Sequence, residues 1–511
     1  MSTQHSSSDA ALAVIGAGAL ARLVGMMATL GAGFASTVLG VRYLGASAYG
    51  VLAYGLAVLT LISASTQGIG MGITQHVAFQ SETRGNEEVW RLGAAAMTAG
   101  AGLALVGSAL AAFLLILPGT SPPALILGLS VLFVGLTLAW VASSVARALQ
   151  HIFVMEALPA LIPLGQLLCM VILVVSQHGT LRSLGRYYAA LGGVAVAMSA
   201  VMVARLTSSG KRLRRSSARE AARLVRTTAP FAVVGLASLV IARFDVFVLG
   251  LSAHRAQVGT YEPTLKAVEG LAYVVPTLLM AIFIPTATRV MTRSGRLALQ
   301  DLYLRLTKLG FVLGLPAVLL LAGFPGLVLS SLFGSDFLVH RAVVWLLLPG
   351  YVTNLALGLN WGTLAALNER NSLMRVSFSG LIIMVLAAVA LIPAFGATGA
   401  AAATSLGVLV VNVVASVMLF GRYRLHPFRG DVMVVIASSA IPLVVVCSLA
   451  TLTRLPSPQA LGVTVGAWAL WLGGLVTARL ITRQEVRPLF EALRNGRVPS
   501  VGDSRSRADS D

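Results

Sequence analysis

The sequence predicts an all-α polytopic membrane protein of about fourteen transmembrane helices. Three observations carry that fold class. Hydrophobic residues make up 57% of the 511 positions and charged ones only 11%, against about a quarter charged in ordinary soluble domains. Mean hydropathy is +0.87. Apolar runs of about 20 residues, each long enough to cross roughly 30 Å of hydrocarbon, recur almost from end to end. No stretch between them is long enough to house a separate soluble domain.

Charges, prolines and glycines punctuate the chain into runs at 14–40, 48–72, 92–117, 123–146, 152–176, 185–206 and 228–252. Seven more follow at 262–288, 304–329, 341–367, 373–394, 397–420, 431–452 and 459–480. The opening MSTQHSSSDA has neither a basic n-region nor an evident cleavage site, so the first span is expected to be retained. An even number of spans puts both termini on one side. The loops on that side hold Arg84, Arg91, Arg147, the cluster from Arg205 to Arg226, Arg289, Arg293, Arg296, Arg305, Lys308, Arg370, Arg375, Arg422, Arg424 and Arg429. The opposite loops hold only Arg42, Arg182, Arg186, Arg255, Arg341 and Arg454. Positive-inside topology therefore places both termini in the cytoplasm.

The net charge of +19 belongs to these short loops rather than to a soluble face, which argues against nucleic acid as a partner. The long basic loop reads as a solvated topology signal, with contact to anionic lipid head groups as the less favoured alternative. It divides the chain into six spans before and eight after. The expected organisation is a tail over 1–13, a six-helix bundle over 14–206, the basic loop over 207–227 and a second six-helix bundle over 228–420. Two additional helices within 431–480 and a basic, polar cytoplasmic tail over 481–511 complete it. A weak internal echo supports the division. VLGVRYLGASAYG at 38–50 and VLGLSAHRAQVGTY at 248–261 share Val-Leu-Gly, an Arg-bearing short loop, and Gly and Tyr at the next helix. Trp140 before ARALQH and Trp361 before ALNERN repeat the correspondence. Duplicated bundles around a central cavity leave such marks.

Few ionisable residues interrupt the spans: Arg22, Glu156, Arg243, Asp245, Glu262, Lys266 and Glu269. Each costs about 2.5–3.5 kcal/mol at a helix centre, so each needs a partner or a wet cavity. The seventh and eighth runs are expected to be antiparallel neighbours. Helix rise then puts Asp245 and Arg243 roughly 10 and 13 Å below the outer end, with Lys266 and Glu269 roughly 6 and 10 Å deep. Glu262, Lys266, Glu269 and Tyr273 are spaced four, three and four, which places them on one helical face, and Pro263 falls in the expected first turn. Arg243 and Asp245 point about 200° apart. One is expected to face a cavity while the other braces a neighbouring helix; a purely structural alternative is an Asp245–Lys266 salt bridge. Asn354, Asn360 and Trp361, with Gln67 and Gln75, are candidate cavity-lining groups, although polar side chains also serve to bridge helices. Cys169 and Cys447 lie in apolar runs and the seven histidines show no paired spacing, so no metal or cofactor is expected. No Walker loop, G-x-S-x-G or HExxH occurs.

The block FDVFVLGLSAHRAQVGTYEPTLKAVEGLAYVVPTLLMAIFIPTATR at 244–289 resembles the corresponding region of bacterial polysaccharide (Wzx-like O-antigen and teichoic-acid) flippases. These belong to the multidrug/oligosaccharidyl-lipid/polysaccharide exporter superfamily. VRYLGASAYGVLAYGLAVLTLI, LFGSDF, LPGYVTNLALGLNWGTLAALNERNSLM and LIPAFGATGAAAATSLGVLVVN extend the similarity across about residues 16 to 425. The resemblance implies two six-helix bundles around a central cavity with the last two spans packed outside. It also implies alternating-access translocation of an undecaprenyl-pyrophosphate-linked oligosaccharide across the inner membrane. Arg243, Lys266 and Arg22 match the cations that such a cavity offers to phosphates; Asp245 and Glu269 match a pairing role or coupling to H+ or Na+. The implied partners are that lipid-linked substrate, membrane lipids, glycosyltransferases and a polysaccharide polymerase. Rival readings are a multidrug/cation antiporter, a lipid II flippase, or a membrane polysaccharide polymerase or ligase. The last would need a sizeable outer catalytic loop, and none of the expected outer loops exceeds about a dozen residues.

Overall fold

A computed structural model describes residues 2–481 except 85, 150, 178, 208–217, 253, 429 and 453–455. The side chains of Arg22, Gln75 and Glu156, segment 208–217 of the basic loop and the tail from 482 lie outside the described residues. Every regular element among those described is helical. The helices are α1 (Ser2–Arg84), α2 (Asn86–Ile116), α3 (Pro123–Ala148), α4 (Ile152–Val175), α5 (Leu181–Thr207), α6 (Ala218–Leu251), α7 (Val258–Val268) and α8 (Val274–Gly323). They continue as α9 (Pro325–Phe333), α10 (Arg341–Leu357), α11 (Leu359–Ala366), α12 (Arg370–Phe395), α13 (Ala397–Tyr423), α14 (Gly430–Ser438), α15 (Ala440–Leu452) and α16 (Ser457–Thr477).

Among the described residues, ten helices are long and apolar enough to cross a membrane, or eleven if the bent pair α10 and α11 forms one span. This is fewer than the fourteen expected, and one reason is visible in α1. Its stretch Met27–Thr74 counts once although it runs for 48 residues, about 72 Å of helix. Gly45 breaks it with φ 77° and ψ 163°, a conformation that glycine adopts without a Cβ penalty. The chain doubles back there, because the Tyr49 hydroxyl reaches Thr37 Oγ1 at 3.2 Å. Twelve residues along a straight helix would separate them by about 18 Å. α8 turns similarly at Gly295, φ 77°.

α1 to α5 pack together as a first bundle, with α3 against α5 and α1 against α3 and α4. α7 to α13 form the second, with α13 against α10 and α12. α6 belongs to both, packing on α1 and α2 on one side and α12 and α13 on the other. α14, α15 and α16 lie outside, against α8. Trp468 Nε1 donates to the Val312 carbonyl at 3.0 Å, and Lys308 Nζ to the Leu480 carbonyl at 2.7 Å, fastening that layer.

Apart from α6, the second bundle meets the first mainly through α7 and α9, at the end of the molecule where Gly45 lies. The echoing segments meet there. A Cβ on Gly259 would come within 1.7 Å of the Ala46 carbonyl oxygen, and one on Gly50 within 2.8 Å of the Gly259 nitrogen. Arg42 of α1 crosses to α9, donating to the Leu332 carbonyl at 2.7 Å and to that of Ser331. Gly259→Ala is expected to destabilise the protein by about 1–3 kcal/mol through overpacking. Gly466→Ala, where nothing lies within 4 Å of the added Cβ, is expected to be neutral. Melting curves in detergent check this, and equal melting temperatures for both variants would mean that the bundles do not meet at Gly259.

Candidate substrate cavity

The site is built on α6 and on the segment from α7 to the start of α8. α6 brings Arg243 and Asp245 into the space between the bundles, and their angular separation sends them to different neighbours. Asp245 is fully buried. Its carboxylate accepts the Tyr261 hydroxyl at 2.5 Å, the Thr404 hydroxyl at 2.7 Å and the Val246 backbone N–H at 2.8 Å. It is thus caged by neutral donors from α6, α7 and α13. The alternative Asp245–Lys266 salt bridge does not form, because Asp245 faces α13 while Lys266 faces α1.

Lys266 instead bonds Glu262 one turn away, Nζ to Oε1 at 2.7 Å, and donates to Thr37 Oγ1 of α1 at 2.9 Å. The Thr37 hydroxyl in turn donates to the Gly33 carbonyl at 3.0 Å. The Tyr49 hydroxyl donates to the second Glu262 oxygen at 2.8 Å. An ion pair on α7 is therefore closed on both sides by hydroxyls of α1, across the seam between bundles. Pro263 is not in the first turn: α7 begins at Val258, so the ring sits inside the helix and leaves the Gly259 carbonyl without its usual donor.

Arg243 Nη2 donates to Glu269 Oε2 at 3.3 Å, and Tyr351 of α10 donates to Glu269 Oε1 at 3.3 Å. Tyr351 packs edge-on against Tyr273, with ring centroids 6.0 Å apart. Glu269–Tyr273 is a single π-helical turn, an insertion frequent at functional sites. Both contacts to Glu269 are long, and Nη1 of Arg243 is buried without a partner among the described residues. An unpaired buried guanidinium nitrogen costs roughly 1–3 kcal/mol or more, so it is a donor waiting for an acceptor.

Side-chain exposure rises steadily along the face that the sequence placed together. It is 6% at Glu262, 21% at Lys266 and 30% at Glu269, and Tyr273 as a whole is 44% exposed. The seam is thus shut at the Gly45 end and opens toward Tyr273. The Arg22 side chain lies outside what the structure describes. Asn360 does not line this opening: it is fully buried, accepts from Tyr303 and donates to Ser416 and the Asn412 carbonyl. Asn354 is half-buried and accepts from Asn412 at 3.2 Å. Both asparagines bridge α10 and α11 to α13, the alternative role open to polar side chains in a bilayer. Sequence reasoning missed Thr37, Tyr49, Tyr261, Tyr351 and Thr404. The echo contained Tyr49 and Tyr261, and each binds a carboxylate here.

Two helical bundles joined by a shared helix, with ion pairs sunk between them, define a multi-pass membrane protein. Residues 39–341 match the model of the family described as Polysaccharide biosynthesis protein. That is more than half of the chain, and the chain belongs to this family. No curated protein matches it in sequence. Among solved structures, the lipid II flippase MurJ in an inward closed conformation is similar with a TM-score of 0.69 at 12% identity, covering 89% of this chain and 98% of that one. An inward-facing multidrug resistance MATE family transporter of the MOP superfamily gives 0.60 at 16% identity, over 82% and 99% of the two chains. A MOP superfamily transporter from Pyrococcus furiosus gives 0.53 at 16%, over 81% and 95%. At these identities the likeness is one of fold.

Proposed function

We propose that the chain is a flippase, not an enzyme, for a lipid-linked oligosaccharide carried on undecaprenyl pyrophosphate. It would move this substrate across the bacterial inner membrane by alternating access, for cell-surface polysaccharide synthesis. Arg243 carries the reading. Its partnerless Nη1 lies on the helix common to both bundles, at the open side of the seam. A pyrophosphate crosses hydrocarbon slowly because its charge loses hydration, and a guanidinium in a wet cavity replaces that hydration with charge-assisted hydrogen bonds. The polyprenyl tail stays in lipid. With the basic loops and both termini cytoplasmic, the seam in this state opens to the side where such intermediates are assembled. Glycosyltransferases would then supply the substrate and a polymerase would consume it.

Lys266 adds a mechanism. While it holds Glu262 and Thr37 it keeps the outer seam shut. A phosphate drawing Lys266 away would weaken that closure, so substrate binding and opening are coupled through one ammonium group. Asp245, at the junction of α6, α7 and α13, is the group we assign to coupling with an H+ or Na+ gradient. A multidrug/cation antiporter or a lipid II flippase shares the fold. The antiporter reading is favoured less, because Arg243 offers a free donor and not a free carboxylate.

Arg243→Ala and Lys266→Ala are expected to insert normally yet reduce glycan export about tenfold or more, the effect of losing a charge-assisted bond of about 1.5–3 kcal/mol. Surface glycan measured against membrane protein level checks this, and full export by the double variant would remove the phosphate site. Asp245→Asn is expected to make uptake of substrate into proteoliposomes insensitive to an imposed H+ or Na+ gradient. An unchanged gradient dependence would assign the coupling to another group.

A further inference from the structure

We propose that a second, separate basic cavity binds the phosphate of an anionic membrane lipid at the cytoplasmic leaflet. The cavity has a volume of about 300 Å³ and is lined by Arg296, Leu297, Gln300, Arg424, Leu425 and His426. Two backbone breaks bring its cations together. Gly295 turns α8 immediately before Arg296, and Arg424 caps α13 in the left-handed region at φ 52°. Gln300 then fixes the loop: its Nε2 donates to the His426 carbonyl at 2.7 Å, and the His426 N–H donates to its Oε1 at 3.3 Å. The Arg424 guanidinium lies 5.4 Å from the Phe420 ring centroid, and that ring packs edge-on against His426.

Among the described residues, two neighbouring arginines of the chain are neutralised and these two are not. Arg305 pairs with Asp301 at 2.8 Å and Arg422 with Glu369 at 2.8 Å. Among the described residues neither Arg296 nor Arg424 has a carboxylate partner, and His426 Nδ1 is buried without a hydrogen bond. Two uncompensated guanidiniums and an orphan imidazole nitrogen around a cavity of this size suit a phosphodiester. The rim decides which kind. Leu297 is 84% exposed, and Phe420 and Phe428 are also exposed, so apolar side chains stand beside the cations as acyl chains stand beside a head group. A freely soluble phosphate would gain nothing from them. Basic pockets between transmembrane helices on the cytoplasmic side are placed to hold lipid head groups, and this one lies on the side of the basic loops under the topology proposed above.

The test is native mass spectrometry of the full-length protein in a neutral detergent, titrated separately with short-chain phosphatidylglycerol, phosphatidylcholine and inorganic phosphate. The expected result is a preference of about tenfold for phosphatidylglycerol over phosphatidylcholine, with no retained inorganic phosphate. Arg296→Gln combined with Arg424→Gln is expected to abolish the preference, and the corresponding double Lys variant to keep it. Both positions are exposed, and gel filtration confirms that the variants remain folded. Should the double Gln variant be lost, each single Gln variant reports the same preference. A preference that survives these substitutions, or equal binding of both lipids by the native chain, overturns the proposal. Inorganic phosphate held as tightly as phosphatidylglycerol overturns the lipid assignment. Export through the Arg243 cavity is expected to continue when this pocket is removed, so failure here is distinguishable from failure of the flippase reading.

Discussion

An ion pair within a bilayer needs polar partners, and the hydroxyls of Thr37 and Tyr49 supply them to Lys266 and Glu262 across the seam between the bundles. The pair sits on α7, in the second bundle, while both hydroxyls come from α1, in the first. Separating the bundles at that level would leave an ammonium and a carboxylate without their α1 partners, each such loss costing on the order of 1–3 kcal/mol. The glycine contacts between Gly50 and Gly259 permit the close approach that this polar stitch requires. Packing and electrostatics therefore close the same end.

The remaining charges divide the work. Asp245 and Arg243 are two residues apart on one helix, yet the first is sealed among hydroxyls and the second reaches the open side of the seam. A helix with charges on opposite faces belongs to neither bundle alone, which fits α6 packing on both. Glu269 holds Arg243 only through a long contact, from a π-turn that shifts the register of the helix below it. The arrangement leaves the Arg243 side chain partly exposed and Asp245 enclosed.

Much of the fold was legible because the bilayer restricts the choices, so that apolar runs become helices. The opposed directions of Arg243 and Asp245, and the shared face of Glu262, Lys266, Glu269 and Tyr273, followed from helical periodicity. Partner identity did not. Thr37 lies 229 residues from Lys266 and Thr404 lies 159 from Asp245. Hydroxyls are common in apolar helices, so nothing local distinguishes those that meet a charge. Asn360 and Asn354 were ambiguous for the same reason, since an amide that lines water and one that bridges helices look alike in sequence. The π-turn and the early start of α7 were invisible because backbone register depends on packing around Gly259 and Tyr351.

The alternating access proposed for this chain would require the Gly45 end to open during each cycle, and a reversible cross-link tests that requirement directly. Cysteines replacing Arg42 and Ser331, in a chain with Cys169 and Cys447 changed to Ala, span α1 and α9 where the two now touch. A short cleavable thiol cross-linker between them is expected to stop translocation of lipid-linked oligosaccharide in proteoliposomes, and its cleavage to restore it. Undiminished translocation by the fully cross-linked protein would contradict the account.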